Sequence, residues 1–199
     1  MPRLPATTAT ERPLRADAQR NRERLLEAAV RAFSAEGPDV TLDAIAKQAG
    51  VGIGTLYRHF PTREALIEAA YRNELARLCD AAAQLHESLP PDAALREWMD
   101  RFLDYMRTKR GMADALRVAI ASGADPFAQS RARMLAAITE LIDAGAGAGA
   151  IRDDVQPEDV MASLSGISLA AGSPEQQQQA ERLLDLLMDG LRHGATARA

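Results

Sequence analysis

The sequence predicts an all-α chain of about nine helices. Three observations carry this. Apolar residues recur at helical spacing along most of the chain. Pro, Gly and Ser/Thr/Asp signals punctuate it where helices would start and stop. Aromatic residues make up only 4% of the 199 residues while Ala is abundant, which favours close-packed helices over sheet.

Residues 1–14 are rich in Pro, Thr and Arg without a hydrophobic period, and read as a disordered arm. From about Ala16 the pattern turns helical, with Leu26, Ala29, Val30 and Phe33 at i, i+3, i+4 and i+7. Gly37-Pro38 stops that helix. Thr41 is placed as the N-cap of a short helix over about Leu42–Ala49, whose inner face is Leu42, Ile45, Ala46 and Ala49. Gly50 ends it. Residues 52–60 form a third short helix with Leu56 and Phe60 inward, and Thr62 caps a fourth reaching about Leu85. Two short helices joined by a tight Gly-containing turn are the helix-turn-helix arrangement, in which the second helix can enter a major groove.

The remainder continues as helices without an internal repeat. Pro91-Asp92 opens one to about Thr108, and Gly111 begins another to about Ser122. Asp125-Pro126, an N-cap followed by proline at N1, opens a long helix to about Ala144. The run at 144–150, AGAGAGA, reads as a flexible break. Gln156-Pro157 opens the next helix, to about Leu169. Ser173-Pro174-Glu175-Gln176 resembles a capping box before a last helix ending near Gly190.

A formal charge of −4 argues at first against a nucleic-acid partner, but the charge is polarised. Residues 1–72 carry 11 Lys/Arg against 9 Asp/Glu, while residues 73–199 carry 13 against 19. That is the footprint of a phosphate-binding end on an acidic body. No uncharged apolar run is long enough to span a membrane, and residues 1–14 lack the apolar core of a signal peptide. With Cys79 the sole cysteine, a cytoplasmic protein without metal or other cofactor is expected.

The stretch TLDAIAKQAGVGIGTLYRHFPTREAL, residues 41–66, then closely resembles the DNA-binding module of TetR-family regulators. The family pattern T-x-x-x-I-A-x-x-A-G-V-x-x-G-T-[LI]-Y-x-[HY]-F is filled at every fixed position, from Thr41 to Phe60. The resemblance is specific over residues 20–70. Over 90–199 it consists mainly of length, helix count and the phrase GAIRDDVQPEDV. It implies a helix-turn-helix domain over residues 15–66, a linking helix over about 62–85, and a ligand-binding and dimerisation body over 67–199.

The resemblance also places roles. Thr41 and the backbone N–H groups beside it would meet a phosphate. Gly52, Ile53, Gly54 and Thr55 would go deepest into the groove, Thr55 on a base edge or thymine methyl and Ile53 in apolar contact. Tyr57 and His59 would hold phosphates, and Arg58 between them would reach a base, such as guanine, or a phosphate. Thr62 and Arg63 would form a second helix-terminus phosphate site. Lys47 is a further backbone candidate, with Arg20, Arg22 and Arg24 behind it. Without the pattern, His59 would read as an ordinary capping or solvent-facing histidine.

In the family the last two helices pair with a second subunit. Here Val160, Met161, Leu164, Ile167 and Ser168 lie on one and Leu183, Leu184, Leu187, Met188 and Leu191 on the other. The last helix is apolar around most of its girth and needs cover on more than one side. An effector site would draw on Trp98, Phe102, Tyr105 and Met106, then Met112, Leu116 and Ile120, then Phe127, Met134 and Ile138. Few polar groups converge there, so the effector would be apolar or aromatic. Such a stripe is more often plain core. The basic cluster Arg107, Lys109 and Arg110 is either a solvated face or a grip on an anionic ligand, and Cys79 reads as a small hydrophobe rather than a redox sensor.

The expectation is therefore a TetR-family repressor that binds a palindromic operator as a homodimer and is released by a small, mainly apolar ligand. An activator or a ligand-independent DNA-binding protein of the same fold is the alternative. An enzyme is disfavoured: the glycines at 145–149 lack the Lys-Ser/Thr of a phosphate loop, and His59, His86 and His193 lie in separate segments.

Overall fold

The computed structural model describes residues 11–194. Among them are nine α-helices, one 3₁₀ turn and no strand. The helices are α1 (Glu11–Glu36), α2 (Leu42–Gln48), α3 (Ile53–His59), α4 (Arg63–Ser88), α5 (Pro91–Gly111), α6 (Ala113–Ala121), α7 (Ser130–Gly147), α8 (Pro157–Ala170) and α9 (Gln177–Arg192). Of the expected N-terminal arm, residues 1–10 lie outside the described residues, whereas 11–14 are the first turn of α1.

The chain divides into two compact units. One holds the described residues up to Ala70 together with Met112–Ala124, and the other holds Tyr71–Gly111 and the chain from Asp125 on. The division falls within α4, and α6 clusters with the first unit although the sequence suggested it for the body. In the first unit α1 packs on α2 and α3. Leu26, Ala29, Phe33, Ile45, Ala46, Ala49, Leu56 and Phe60 are buried there as their spacing predicts; Leu25 joins them, whereas Val30 and Leu42 of the expected inner faces are half-buried. In the second unit α5 packs on α7, α8 and α9. Trp98 is fully buried, and its indole N–H donates to the Leu78 carbonyl at 3.0 Å, so the ring adds buried area without an orphaned donor.

Two elements differ from expectation, each for a tertiary reason. α7 starts at Ser130, not at Asp125-Pro126. The segment 126–129 is a turn that ends with Gln129 in the left-handed region, at φ 61°. Phe127 holds it there, edge-on to Tyr71 with centroids 5.1 Å apart and with the Lys109 ammonium 4.5 Å from the centroid of its ring. Arg72 donates to the Asp125 carbonyl at 3.1 Å. These contacts outweigh a helix-start signal of about 1 kcal/mol.

The glycine-alanine run is also not a break, because α7 continues through it to Gly147. Gly149, at φ 67°, then ends the helix in a Schellman motif: its N–H donates to the Ala146 carbonyl and that of Ala150 to Gly145. Ile151 is buried against Gly145, where a Cβ would stand 2.6 Å from Ile151 Cγ1 and Cδ1. The absent side chain is what lets Ile151 in. At the far end, Gln176 Oε1 accepts from the Ser173 N–H at 3.4 Å, the backward half of the expected capping box, and a 3₁₀ turn at Pro174–Gln176 leads into α9.

Candidate nucleic-acid interface

The reading module is built from its caps upward. Thr41 is extended at φ −75° and ψ 147°, and its Oγ1 accepts from the Ala44 N–H at 3.2 Å, so α2 starts where the sequence placed it. α2 ends in a second Schellman motif. The N–H of Gly50 donates to Lys47 and that of Val51 to Ala46, at 3.1 and 3.0 Å, with Gly50 at φ 68°. This turn reverses the chain so that α3 packs on α2. Leu56 and Phe60 are buried beneath α3, while Gly52, Ile53, Gly54, Tyr57 and Arg58 are exposed and Thr55 and His59 half-buried. Ile53 and Tyr57 stand out at 37% and 49% exposure, large side chains left on water. Neither Gly52 nor Gly54 has anything within 4 Å of where a Cβ would sit.

The other expected contacts fall around this surface. Lys47 is exposed in the last turn of α2. Thr62 caps α4, its Oγ1 accepting from the Ala65 N–H at 3.1 Å. Arg63 lies differently from an outward-reaching phosphate contact. Its guanidinium donates to the carbonyls of Pro38 and Val40 at 2.7 and 2.5 Å, with its carbon 5.8 Å from the centroid of the buried Phe33 ring. It pins the α1–α2 loop to the first turn of α4. Arg22 likewise sits 5.7 Å from the centroid of the Phe60 ring. Arg20 and Arg24 pair along α1 with Asp17 and Asn21.

Two family models match the chain. One, described as bacterial regulatory proteins of the tetR family, matches residues 25–70; the other, the C-terminal domain of SbtR-like transcriptional regulators, matches residues 90–193. The chain belongs to the TetR family. Members of this family of transcriptional regulators bind DNA and act as dimers. A TetR transcriptional regulator from Streptomyces coelicolor is 59% identical, with 87% of this chain and 99% of that one aligned at a TM-score of 0.84. A TetR transcription regulatory protein from Mycobacterium vanbaalenii is 38% identical over 90% of this chain and 99% of that one, at a TM-score of 0.75. An HTH-type transcriptional regulator of Staphylococcus aureus (strain USA300) is 40% identical over 63 residues, 31% of this chain and 34% of that protein. The chain thus matches about a third of the length of that curated relative.

In this TetR-family chain the residues expected to pair subunits divide between two faces. Val160, Met161, Leu164 and Ser168 of α8 and Leu184, Met188 and Leu191 of α9 are buried within the chain itself. Ile167, Leu183 and Leu187 are half-buried. The face left to solvent carries side chains outside the expected interface set: Leu169 at 79% and Leu186 at 68% exposure, with Ala162, Gly166 and Gly190 also exposed on these helices. The helical wheel could have found them, since residues five positions beyond Leu164 and two beyond Leu184 fall on the outer side.

The expected effector stripe is mostly interior. Trp98, Phe102, Tyr105, Met112, Leu116 and Ile138 are buried, Met106 and Met134 half-buried, and Ile120 and Phe127 exposed. Tyr105 also lines a surface groove of about 530 Å³ whose other walls include Glu74, Arg77, Asp80, Arg101 and Asp104, a polar lining. The three residues of the basic cluster go to separate sites. Arg107 pairs with Asp104, Lys109 lies over Phe127, and Arg110 donates to the Ser168 and Gly172 carbonyls at 3.0 and 2.9 Å. Burial pushes the Lys109 pKa down. Burial pushes the Cys79 thiol up, with Arg133 opposing, which keeps it away from the reactive thiolate form.

Proposed function

We propose that this chain is a transcriptional repressor that binds a palindromic operator as a homodimer through α3 and is released by a small, mainly apolar effector. The observation that carries the DNA-binding part is the outer face of α3. Its apolar anchors Leu56 and Phe60 are buried, while Ile53, Tyr57 and Arg58 project from a surface whose glycines would let DNA approach the backbone. Thr41, Tyr57, His59 and Thr62 would engage phosphates, and Ile53, Thr55 and Arg58 would face base edges. Lys47 would add charge beside them, and Arg63 would act by holding the loop before α2.

Dimerisation through the outer faces of α8 and α9 is supported by the exposure of Leu169 and Leu186. An isologous pair would present two α3 helices about one DNA turn apart, or a multiple of it, as a palindrome requires. Support for an apolar effector comes from the Trp98–Phe102–Tyr105 face of α5, where neighbouring ring centroids lie 5.9 and 6.4 Å apart. Effector and operator would oppose each other through a single coupling free energy, typically about 1–3 kcal/mol.

The test is a gel shift with DNA flanking the protein's own gene, comparing the natural chain with Tyr57→Ala. A specific shift that weakens steeply with salt and is lost in the variant, at unchanged helical content and mass, is expected. If neither that DNA nor selection from random duplexes yields a bound sequence, the repressor reading falls.

A further inference from the structure

We propose that Arg58 reads a guanine of the operator and that Thr55 is the positioning residue that aims it. This rests on the DNA-binding reading above and adds which base is read, by which residue, and how that residue is set.

The geometry lies on the exposed side of α3. Arg58 Nε donates to the Gly54 carbonyl at 3.3 Å, and Arg58 Nη2 donates to Thr55 Oγ1 at 3.0 Å. Both acceptors lie about one turn earlier in the helix, so the side chain is laid back towards the N-terminal end of α3. That is the end a helix-turn-helix inserts deepest into the major groove. An exposed arginine would otherwise sample many rotamers, and ordering it on DNA would cost side-chain entropy. Two local bonds to adjacent acceptors restrict that sampling before DNA arrives, which lowers the ordering cost of binding.

The choice of donors matters as much as the direction. A guanidinium carries five N–H groups in a fixed plane. Nε–H and the Nη2–H beside it form one edge of that plane, and this is the edge occupied by Gly54 and Thr55. The terminal edge, with one N–H from each of Nη1 and Nη2, points away from those acceptors as a two-donor fork. In the major groove guanine alone offers two adjacent acceptors, O6 and N7. Adenine pairs an acceptor with a donor, thymine pairs an acceptor with a methyl group, and cytosine offers a donor. The free edge of Arg58 therefore matches guanine and mismatches the other three bases.

Thr55 then has a role beyond any base contact of its own. Its Oγ1 accepts from Arg58, and its fixed place one turn back sets the plane in which the fork lies. Serine at this position keeps the oxygen, whereas valine keeps the shape and removes it.

The experiment is selection of operator sequences from random duplexes with the full chain and with Arg58→Ala, Thr55→Val and Thr55→Ser. It is followed by binding to the selected half-site with 7-deazaguanine, which lacks the N7 acceptor, at the candidate guanine. The natural chain is expected to enrich one G·C pair in each half-site and to lose roughly tenfold or more on the 7-deazaguanine probe. Arg58→Ala should be indifferent to that base replacement. Thr55→Val should lose most of the guanine preference while its helical spectrum, melting temperature and salt dependence stay as before, and Thr55→Ser should restore it. Uniform weakening of Arg58→Ala on every sequence, with a salt slope lower by about 1, would make Arg58 a phosphate contact and overturn the assignment. Unchanged base preference in Thr55→Val would remove Thr55 from it. A natural chain that enriches no sequence would instead bring down the operator reading itself, and this proposal with it.

Discussion

Tyr71 and Tyr105 meet hydroxyl to hydroxyl, buried in the second unit. Their rings are tilted with centroids 5.9 Å apart, and Phe127 stands edge-on to Tyr71. Each phenol is the other's hydrogen-bond partner at a site with little solvent exposure, so the two should behave as one energetic unit. Tyr105→Phe leaves the Tyr71 hydroxyl without this partner and is expected to cost about 1–3 kcal/mol, and Tyr71→Phe likewise. The double substitution should cost clearly less than the sum of the two. Urea denaturation of all four proteins measures the coupling, and strict additivity would show that the bond contributes nothing.

The same pair has a signature in alkali. Burial pushes the Tyr105 pKa up, and the bond to Tyr71 adds to that. The unfolded chain therefore gives up this proton first, so the contribution is fully present below about pH 10 and is lost as pH rises beyond it. Denaturation midpoints between pH 9 and 11 should show Tyr105→Phe lacking that part of the alkaline decline.

The glycines of the reading module should separate folding from binding. Gly50 is in the left-handed region at φ 68°, so Gly50→Ala is expected to cost about 1–2 kcal/mol of stability. Gly52 and Gly54 have open space where a Cβ would go, so alanine there should leave the melting temperature almost unchanged. If DNA approaches this backbone, those two variants lose operator affinity while remaining folded. Natural-strength gel shifts from Gly54→Ala would mean that the added methyl never meets the duplex.

On α8 and α9 the exposed and buried leucines should give opposite phenotypes. Leu169→Glu or Leu186→Glu places a charge where the single chain has only solvent, and sedimentation should report a folded protein of half the mass. Leu164→Glu buries that charge in the chain's own core and should unfold it. A Leu169→Glu, Leu186→Glu double variant that still sediments as a dimer would place the subunit contact on another surface.

Acid should weaken one clamp in particular. Arg192 donates to Asp92 Oδ2 at 3.1 and 2.7 Å, and this hydrogen bonding holds the Asp92 carboxyl below its usual pKa of 3.8. Because the folded pKa is depressed, the contribution is present above pH 3.8 and is lost as pH falls through the folded value. The pair is partly exposed, so Asp92→Asn is expected to cost no more than about 1 kcal/mol at neutral pH. The difference between the two proteins in thermal melts should close as the pH drops below that range.

Much of this was legible in the sequence because it depends on local rules. Thr41 and Thr62 cap helices since a short side-chain oxygen reaches a free N–H within three residues, and Gly50 ends one since it tolerates positive φ. The helix-turn-helix was readable for the same reason, its apolar spacing and turn chemistry all lying within twenty residues. What could not be read depends on partners far along the chain. Asp125-Pro126 carries a sound helix-start signal, yet Phe127 is drawn to Tyr71 and Lys109 and the helix waits until Ser130. The residues of the AGAGAGA run have no side-chain preference against helix strong enough to resist Ile151 packing on Gly145.

By itself the sequence determined the helical class, the caps and turn of the reading module, and the family, because each is written in short-range spacing and residue type. Only the tertiary structure decided which side of each helix is spent inside the chain. It turned Leu164 and Leu184 inward and left Leu169 and Leu186 outside, took Arg63 for the loop before α2, and laid Arg58 against Thr55. An apolar or charged residue announces that it needs a partner. Which partner it finds is settled by the packing of the whole fold, where the neighbours that compete for it come from distant parts of the chain.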